Sequence, residues 1–190
     1  MTSNESELLG LALKGDDDAF ASLVELYQTP VYNMCYRMLG TPQDAEDAAQ
    51  ETFWRAYQAL HRYDRKRSFI TWVLSIAAHY CIDQHRRRKL PTFALELLPE
   101  ESVPFLAPGP ENLVAQSEED RHLHTLLNQL KPQDRAAIVL RYWYDFSEKE
   151  ISQSLSLSVS AVKSRLHRAR RQLAQIVSTN KTQSLCEEAV

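Results

Sequence analysis

Between positions 161 and 177 the chain carries five cations, Lys163, Arg165, Arg168, Arg170 and Arg171, and no anion. On a helix, Lys163, Ser164, His167, Arg168 and Arg171 fall on the side opposite Val162, Leu166, Ala169, Leu173 and Ile176, which have the spacing of a buried stripe. Ammonium, guanidinium and hydroxyl groups lined up in this way can bond to phosphates and base edges of a duplex. A single charge run is most often a solvated face, but here there is a second. Residues 61–90 hold 8 basic side chains against 2 acidic ones. Part of this charge lies in a loop, His61 to Ser68, where Tyr63 sits among Arg65, Lys66 and Arg67; the rest is the run Arg86, Arg87, Arg88, Lys89. A helix C-terminus accounts for one or two such cations through its dipole. The remainder need an anionic partner, and a basic loop beside a basic helix can hold a single strand, with cations on phosphates and pockets for unstacked bases.

A third set has different chemistry. Asp47, Gln50, Glu51 and Trp54 lie at i, i+3, i+4 and i+7, placing a large aromatic beside acids on an outward face. Solvated faces rarely display tryptophan, whereas protein-binding faces often do. The acids between positions 44 and 51 are spread along one helix without a His or Lys partner, so neither a metal-dependent nor a nucleophilic active site is expected. Cys35 and Cys81 sit on apolar stripes as small core residues, and Cys186 lies in a polar tail. His122 and His124 are two apart and point to different helix faces. No catalytic residue, metal or cofactor is expected. With four glycines in 190 residues, a glycine-rich nucleotide turn is excluded as well.

These groups must be positioned by helices, and the apolar periodicity is helical throughout. Phe20, Leu23, Val24 and Tyr27 form one stripe, and Val31, Met34, Cys35 and Met38 a second after Pro30. Gly40 ends a helix; Thr41 and Pro42 open the next, burying Ala45, Ala49, Phe53, Ala56, Tyr57 and Leu60. Ser68 caps a helix with Phe69, Trp72, Val73, Ile76, Ala77 and Tyr80 inward. Five of the eight prolines (Pro91, Pro99, Pro104, Pro108, Pro110) then fall within twenty residues, and residues 91–120 carry 7 acids and no Lys or Arg, the signature of an extended acidic tether. Beyond it, Leu123, Leu126, Leu127 and Leu130 and then Ala136, Val139 and Leu140 are helical. Ser147 and Glu150 make a capping box, and Ser158 caps a longer helix after a short turn. Two helices joined by a tight turn, the second basic from its start, describe a helix-turn-helix. The expected fold is all-α: two small helical domains, 1–90 and 118–177, a flexible acidic Pro-rich linker over 91–117, and a polar tail over 178–190. Lacking a long apolar run and a basic leader at Met1 to Leu9, the chain is expected to be cytoplasmic with no membrane insertion.

The segments Asp44 to Phe53 (DAEDAAQETF), Phe69 to Trp72 (FITW), Ile76 to Asp83 (IAAHYCID) and Val162 to Arg170 (VKSRLHRAR) together resemble the extracytoplasmic-function (ECF) group of bacterial sigma factors. The four motifs stand in the correct order, and the resemblance covers nearly the whole of residues 8–176. The resemblance implies a sigma-2 helical bundle that binds the clamp helices of core RNA polymerase and melts the minus-ten element. It also implies a sigma-4 helix-turn-helix that reads the minus-thirty-five element and sits on the flap. By motif, Asp47, Gln50 and Glu51, with Trp54 on the same face, match the clamp contacts. Tyr63, Arg65, Lys66, Arg67 and Ser68 match the loop that captures a flipped base, alongside His79 and Arg86, Arg87 and Arg88. Lys163, Ser164, His167, Arg168 and Arg171 match the duplex contacts. Expected partners are core RNA polymerase, promoter DNA in duplex and single-stranded form, and an anti-sigma factor. His79 stands where many members have asparagine, and Ser156 where the family often has glycine. Two other functions use the same features: a stand-alone helix-turn-helix regulator, whose first domain would bind ligand or dimerise, and a DNA-processing enzyme, which the acids do not support.

Overall fold

The computed structural model describes residues 3–89 and 118–187, with side chains over 5–88 and 121–179. The linker expected at 91–117 lies outside the described residues, as does the side chain of Cys186. The chain divides into two compact units, residues 1–115 and 116–190.

In the first unit α1 (Ser3–Ala12), α2 (Asp17–Leu39), α3 (Pro42–Ala59) and α4 (Phe69–Lys89) form a bundle in which α2 packs against the other three. Asp16 opens α2 by accepting from the amide of Ala19 at 2.9 Å, and Asp17 and Asp18 complement the dipole. Gly40 ends it at φ 90°, a conformation free of cost for glycine, with its N–H on the Tyr36 carbonyl. The two stripes flanking Pro30 belong to one 23-residue helix, not two. Tyr27 and Val31 are four apart, so the stripe of Phe20, Leu23, Val31, Met34, Cys35 and Met38 stays in phase across the proline. Burial of this stripe, at about 1.5–3 kcal/mol per large side chain, outweighs the one missing backbone bond.

Thr41 caps α3, with Pro42 at its first position. Its inward face is built from small residues, Ala45, Ala48, Ala49, Thr52 and Ala56, which let α2 and α4 approach closely around Phe53. Tyr57, expected in this stripe, is 42% exposed instead. Helix α4 buries Phe69, Val73, Leu74, Ala77, Ala78 and Cys81. Helix α1, which no strong apolar period announces, covers α2 with Leu9 and Ala12 and brings Glu5 into the interior. There it hydrogen-bonds Tyr27, whose hydroxyl is pushed well above its ordinary pKa, first by burial and then by this carboxylate.

The second unit is centred on α6 (Pro132–Trp143), in which seven consecutive residues, Asp134 to Leu140, are buried. Such a helix must be surrounded. It packs against α7 (Glu148–Ser154) and α8 (Val159–Glu187), while α5 (Glu118–Asn128) lies on α8. The stripe of α8 is fully inside at Val162, Leu166 and Ala169 and half-buried at Leu173 and Ile176. No Gly or Pro occurs between positions 159 and 187, and α8 runs on to Glu187, ten residues into what was expected to be a separate tail. His122 and His124 do lie on different faces: His122 is exposed and His124 is 9% exposed.

Candidate functional site

On α3 the outward face is as its spacing implies. Asp47 and Trp54 are exposed, and Gln50 and Glu51 are half-buried. Gln43 reaches the Asp47 carboxylate at 3.3 Å and Arg55 pairs with Glu51 at 2.6 Å, both one turn apart. Arg55 also lies over the ring of Tyr80 on α4, 4.8 Å from its centroid. Trp54, 53% exposed, stacks on Tyr57 with centroids 6.2 Å apart. Tyr57 is held in turn by an edge contact with Phe20 at 5.1 Å and by donating to Asp17 Oδ1 at 2.7 Å. That acceptor raises the tyrosine's pKa. The result is a rigid aromatic pair at the end of an acidic face, anchored to the N-terminus of α2.

The basic loop is organised from within. Tyr63 is 7% exposed, its ring packed between Phe69 (5.8 Å) and Trp72 (5.1 Å), and its hydroxyl donates to the Arg67 carbonyl. It is a support of the loop and does not offer its ring to a ligand. Asp64 accepts from the amide of Lys66 at 3.0 Å, and its carbonyl accepts from the amide of Arg67 at 3.0 Å, closing a turn that leaves Arg65 and Lys66 exposed. Arg67 is half-buried. Ser68 accepts from the amide of Thr71 at 3.3 Å, capping α4. Further along α4, His79 is exposed, with Nδ1 2.8 Å from the Ser75 carbonyl. Arg86 pairs with Asp83 at 3.5 Å, and Arg88 pairs with Asp44 at the start of α3. Asp44 is held below the ordinary carboxylate range, chiefly by the Thr41 hydroxyl and then, against partial desolvation, by Arg88.

In the second unit the α7 capping box is formed on both sides. Glu150 N–H donates to Ser147 Oγ at 3.2 Å and Ser147 N–H to Glu150 Oε2 at 2.8 Å. The turn into α8 passes through Ser156 at φ 54°, the left-handed conformation that glycine adopts without strain, so serine here preserves the geometry of a glycine turn. Ser158 then accepts from Ala161 N–H at 3.1 Å. Lys163 reaches Glu148 on α7 at 3.6 Å, and Ser164, His167 and Arg171 are exposed. Arg168 is half-exposed and bound: Nε donates to Asp134 Oδ2 at 2.9 Å and Nη2 to Oδ1 at 3.1 Å. The same Oδ1 accepts from Arg165 Nη1 at 2.7 Å. Burial alone would raise the pKa of Asp134, which is 1% exposed, but the bonds from Arg168 and Arg165 outweigh it and hold the group ionised below its ordinary range. Asp134 and Arg165 escaped the sequence reading because one acid in a charge-balanced stretch, at the first turn of a helix, reads as a dipole partner. Only the crossing of α6 and α8 reveals its two arginines. Among the described residues no group of three His, Cys, Asp or Glu side chains could hold a metal ion, and no helix is long and apolar enough to cross a membrane.

Residues 23–90 match the family model for sigma-70 region 2, and residues 121–173 the model for sigma-70 region 4. The ECF RNA polymerase sigma factor SigW of Bacillus subtilis is 39% identical over 168 residues, covering 84% of this chain and 89% of SigW. SigE of Mycolicibacterium smegmatis is 34% identical over 175 residues, covering 90% of this chain and 67% of SigE. Among solved structures, CnrH in complex with the cytosolic domain of CnrY is similar with a TM-score of 0.68 and 25% identity, over 93% of this chain and 99% of that one. The fold is shared also by the sigma factor RpoE of Bartonella quintana, solved with the anti-sigma factor NepR, at a TM-score of 0.64 and 18% identity, over 84% of this chain and 96% of that one. A region 2 bundle followed by a region 4 helix-turn-helix, with SigW 39% identical over most of both chains, makes the chain an RNA polymerase sigma factor of the ECF group of the sigma-70 family.

Proposed function

We propose that this sigma factor divides its work between its two units. The α3 face of Asp47, Gln50, Glu51 and Trp54 docks on the polymerase clamp helices. The turn at Arg65 to Ser68, with His79 and Arg86 to Arg88, takes the minus-ten strand as it unpairs. The α8 face of Lys163, Ser164, His167, Arg168 and Arg171 reads the minus-thirty-five duplex. The observation that carries this reading is the contrast between the two basic surfaces: one is a short turn over a buried aromatic cluster, the other the second helix of a helix-turn-helix. A helix fits a major groove, whereas a turn beside a helix fits an extruded base. The protein carries no chemistry of its own; its output is placement of polymerase, in the cytoplasm. An anti-sigma factor is a further partner, in keeping with the ECF group and with the solved complex of the sigma factor RpoE with the anti-sigma factor NepR.

Run-off transcription with purified core polymerase on a promoter library tests this. A discrete promoter class, transcribed only when the chain is added, is the expected result. The rival reading, a stand-alone regulator, requires tight sequence-specific binding by the free chain at physiological salt. Neither basic surface alone offers enough phosphate contacts for that.

A further inference from the structure

The pair Asp134 and Arg168 has a geometry that a simple ion pair does not require. Arg168 gives the carboxylate one side of its guanidinium, Nε and one hydrogen of Nη2, in a two-point contact. That leaves Nη1 and the outer hydrogen of Nη2 unused by the carboxylate, on a side chain that remains 53% exposed. Those outer hydrogens form a second fork, and a fork of this kind matches a pair of acceptors: O6 and N7 of a guanine, or two oxygens of a phosphate. The carboxylate itself is 1% exposed, and its Oδ1 also accepts from Arg165, so the buttress is held by a second residue of α8. A guanidinium fixed before binding loses less freedom when it meets DNA than a freely rotating one does.

We propose that Asp134, buried at the start of α6, is a positioning residue for promoter recognition: it clasps the inner edge of Arg168 and so presents the outer edge to a paired acceptor on the upstream duplex. This rests on the reading of α8 as the duplex-facing helix. Asp134 does not touch DNA and acts through Arg168, while Arg165 balances its charge.

The test uses holoenzyme reconstituted with core polymerase and the full chain, with competition binding measured across single-base variants of the upstream element and across salt. Asp134→Asn, Arg168→Ala and the double variant are compared. If the fork meets guanine, each single change relaxes preference at the same base pair by roughly 5- to 150-fold. If it meets phosphate, each weakens all sequences alike and flattens the salt dependence. In either case the double variant is no worse than Arg168→Ala, which supports the proposal. Additive losses, or a silent Asp134→Asn beside a damaging Arg168→Ala, overturn it and leave the reading of α8 standing. A silent Arg168→Ala overturns both. Should Asp134→Asn reduce folding, Arg168→Lys at the half-exposed position replaces it: lysine keeps the charge but cannot clasp and present at once. Its loss should equal that of Arg168→Ala with unchanged helicity, and full retention overturns the proposal.

Discussion

Asp134 and Arg165 lie 31 residues apart in the chain, and their 2.7 Å bond ties the start of the central helix α6 to the second turn of α8. Because Arg168 joins the same carboxylate, the fold of the second unit and the aim of its exposed face share one buried anion. Removing that anion leaves Arg165, whose side chain is 22% exposed, without its buried partner, while Arg168, 53% exposed, can turn to water.

A pH dependence follows. The folded-state pKa of Asp134 is depressed, so its contribution is complete above the ordinary aspartate value of about 3.9 and is lost as pH falls through the lower folded value. Asp134→Asn should cost roughly 1–3 kcal/mol at neutral pH, as expected for a buried acceptor that loses its charge. Urea unfolding followed by circular dichroism at pH 7, 4 and 3 should show the gap between the two proteins closing below pH 4. A gap independent of pH would count against this role.

The α3 face is separable from folding. Asp47, Gln50 and Glu51 point away from the alanine-rich interior, and the Glu51–Arg55 pair is a surface contact worth under about 1 kcal/mol. Asp47→Lys combined with Glu51→Lys should therefore weaken capture of core polymerase more than roughly tenfold, the effect of about 1.4 kcal/mol of lost interface energy. The melting temperature should hardly move. Trp54→Ala should act in the same direction. Unchanged capture by the combined variant would place the interface elsewhere.

Inside the loop the roles divide differently. Tyr63 is packed by Phe69 and Trp72, so Tyr63→Ala should cost about 3 kcal/mol, in line with other truncations of buried aromatics. Tyr63→Phe loses only the hydroxyl bond to the Arg67 carbonyl, about 1 kcal/mol. Arg65→Ala and Lys66→Ala, on exposed side chains, should leave stability untouched. Thermal unfolding of the four variants checks the order, and a stability loss at Lys66 as large as that at Tyr63 would refute it.

Ser156 offers a gain. A residue other than glycine at φ 54° bears roughly 1 kcal/mol of strain, partly offset by the greater freedom glycine has when unfolded. Ser156→Gly should therefore raise the stability of the second unit by up to about 1 kcal/mol without changing DNA preference. A lower melting temperature would show that the serine is favoured by a bond the turn needs.

The helix ends were legible because their chemistry is local. Gly40, Thr41 with Pro42, Ser68, the Ser147–Glu150 box and Ser158 each act within four residues, and the structure finds them where the sequence places them. What escaped depends on contacts distant in sequence. The sequence shows two stripes on either side of Pro30, and only the structure joins them in one helix. Tyr57 fits the α3 stripe by spacing, but Asp17, 40 residues away, draws its hydroxyl outward. Tyr63 reads as a loop aromatic available to a base until the α4 aromatics enclose it. The exposure of Trp54 was legible because apolar neighbours and acids alternate with helical period around it.

The most direct test of a division between reading and melting compares holoenzyme on a matched duplex promoter with the same promoter carrying a premelted minus-ten bubble. Permanganate reactivity and transcript yield are followed for Lys66→Ala, His79→Ala and Lys163→Ala. Extruding a base costs a few kcal/mol that the first unit's loop must offset, so loop and His79 variants should recover on the bubble. Lys163→Ala should stay impaired on both, because the duplex upstream is unchanged. If all three respond alike to premelting, the two surfaces do not perform separate steps and the division is wrong.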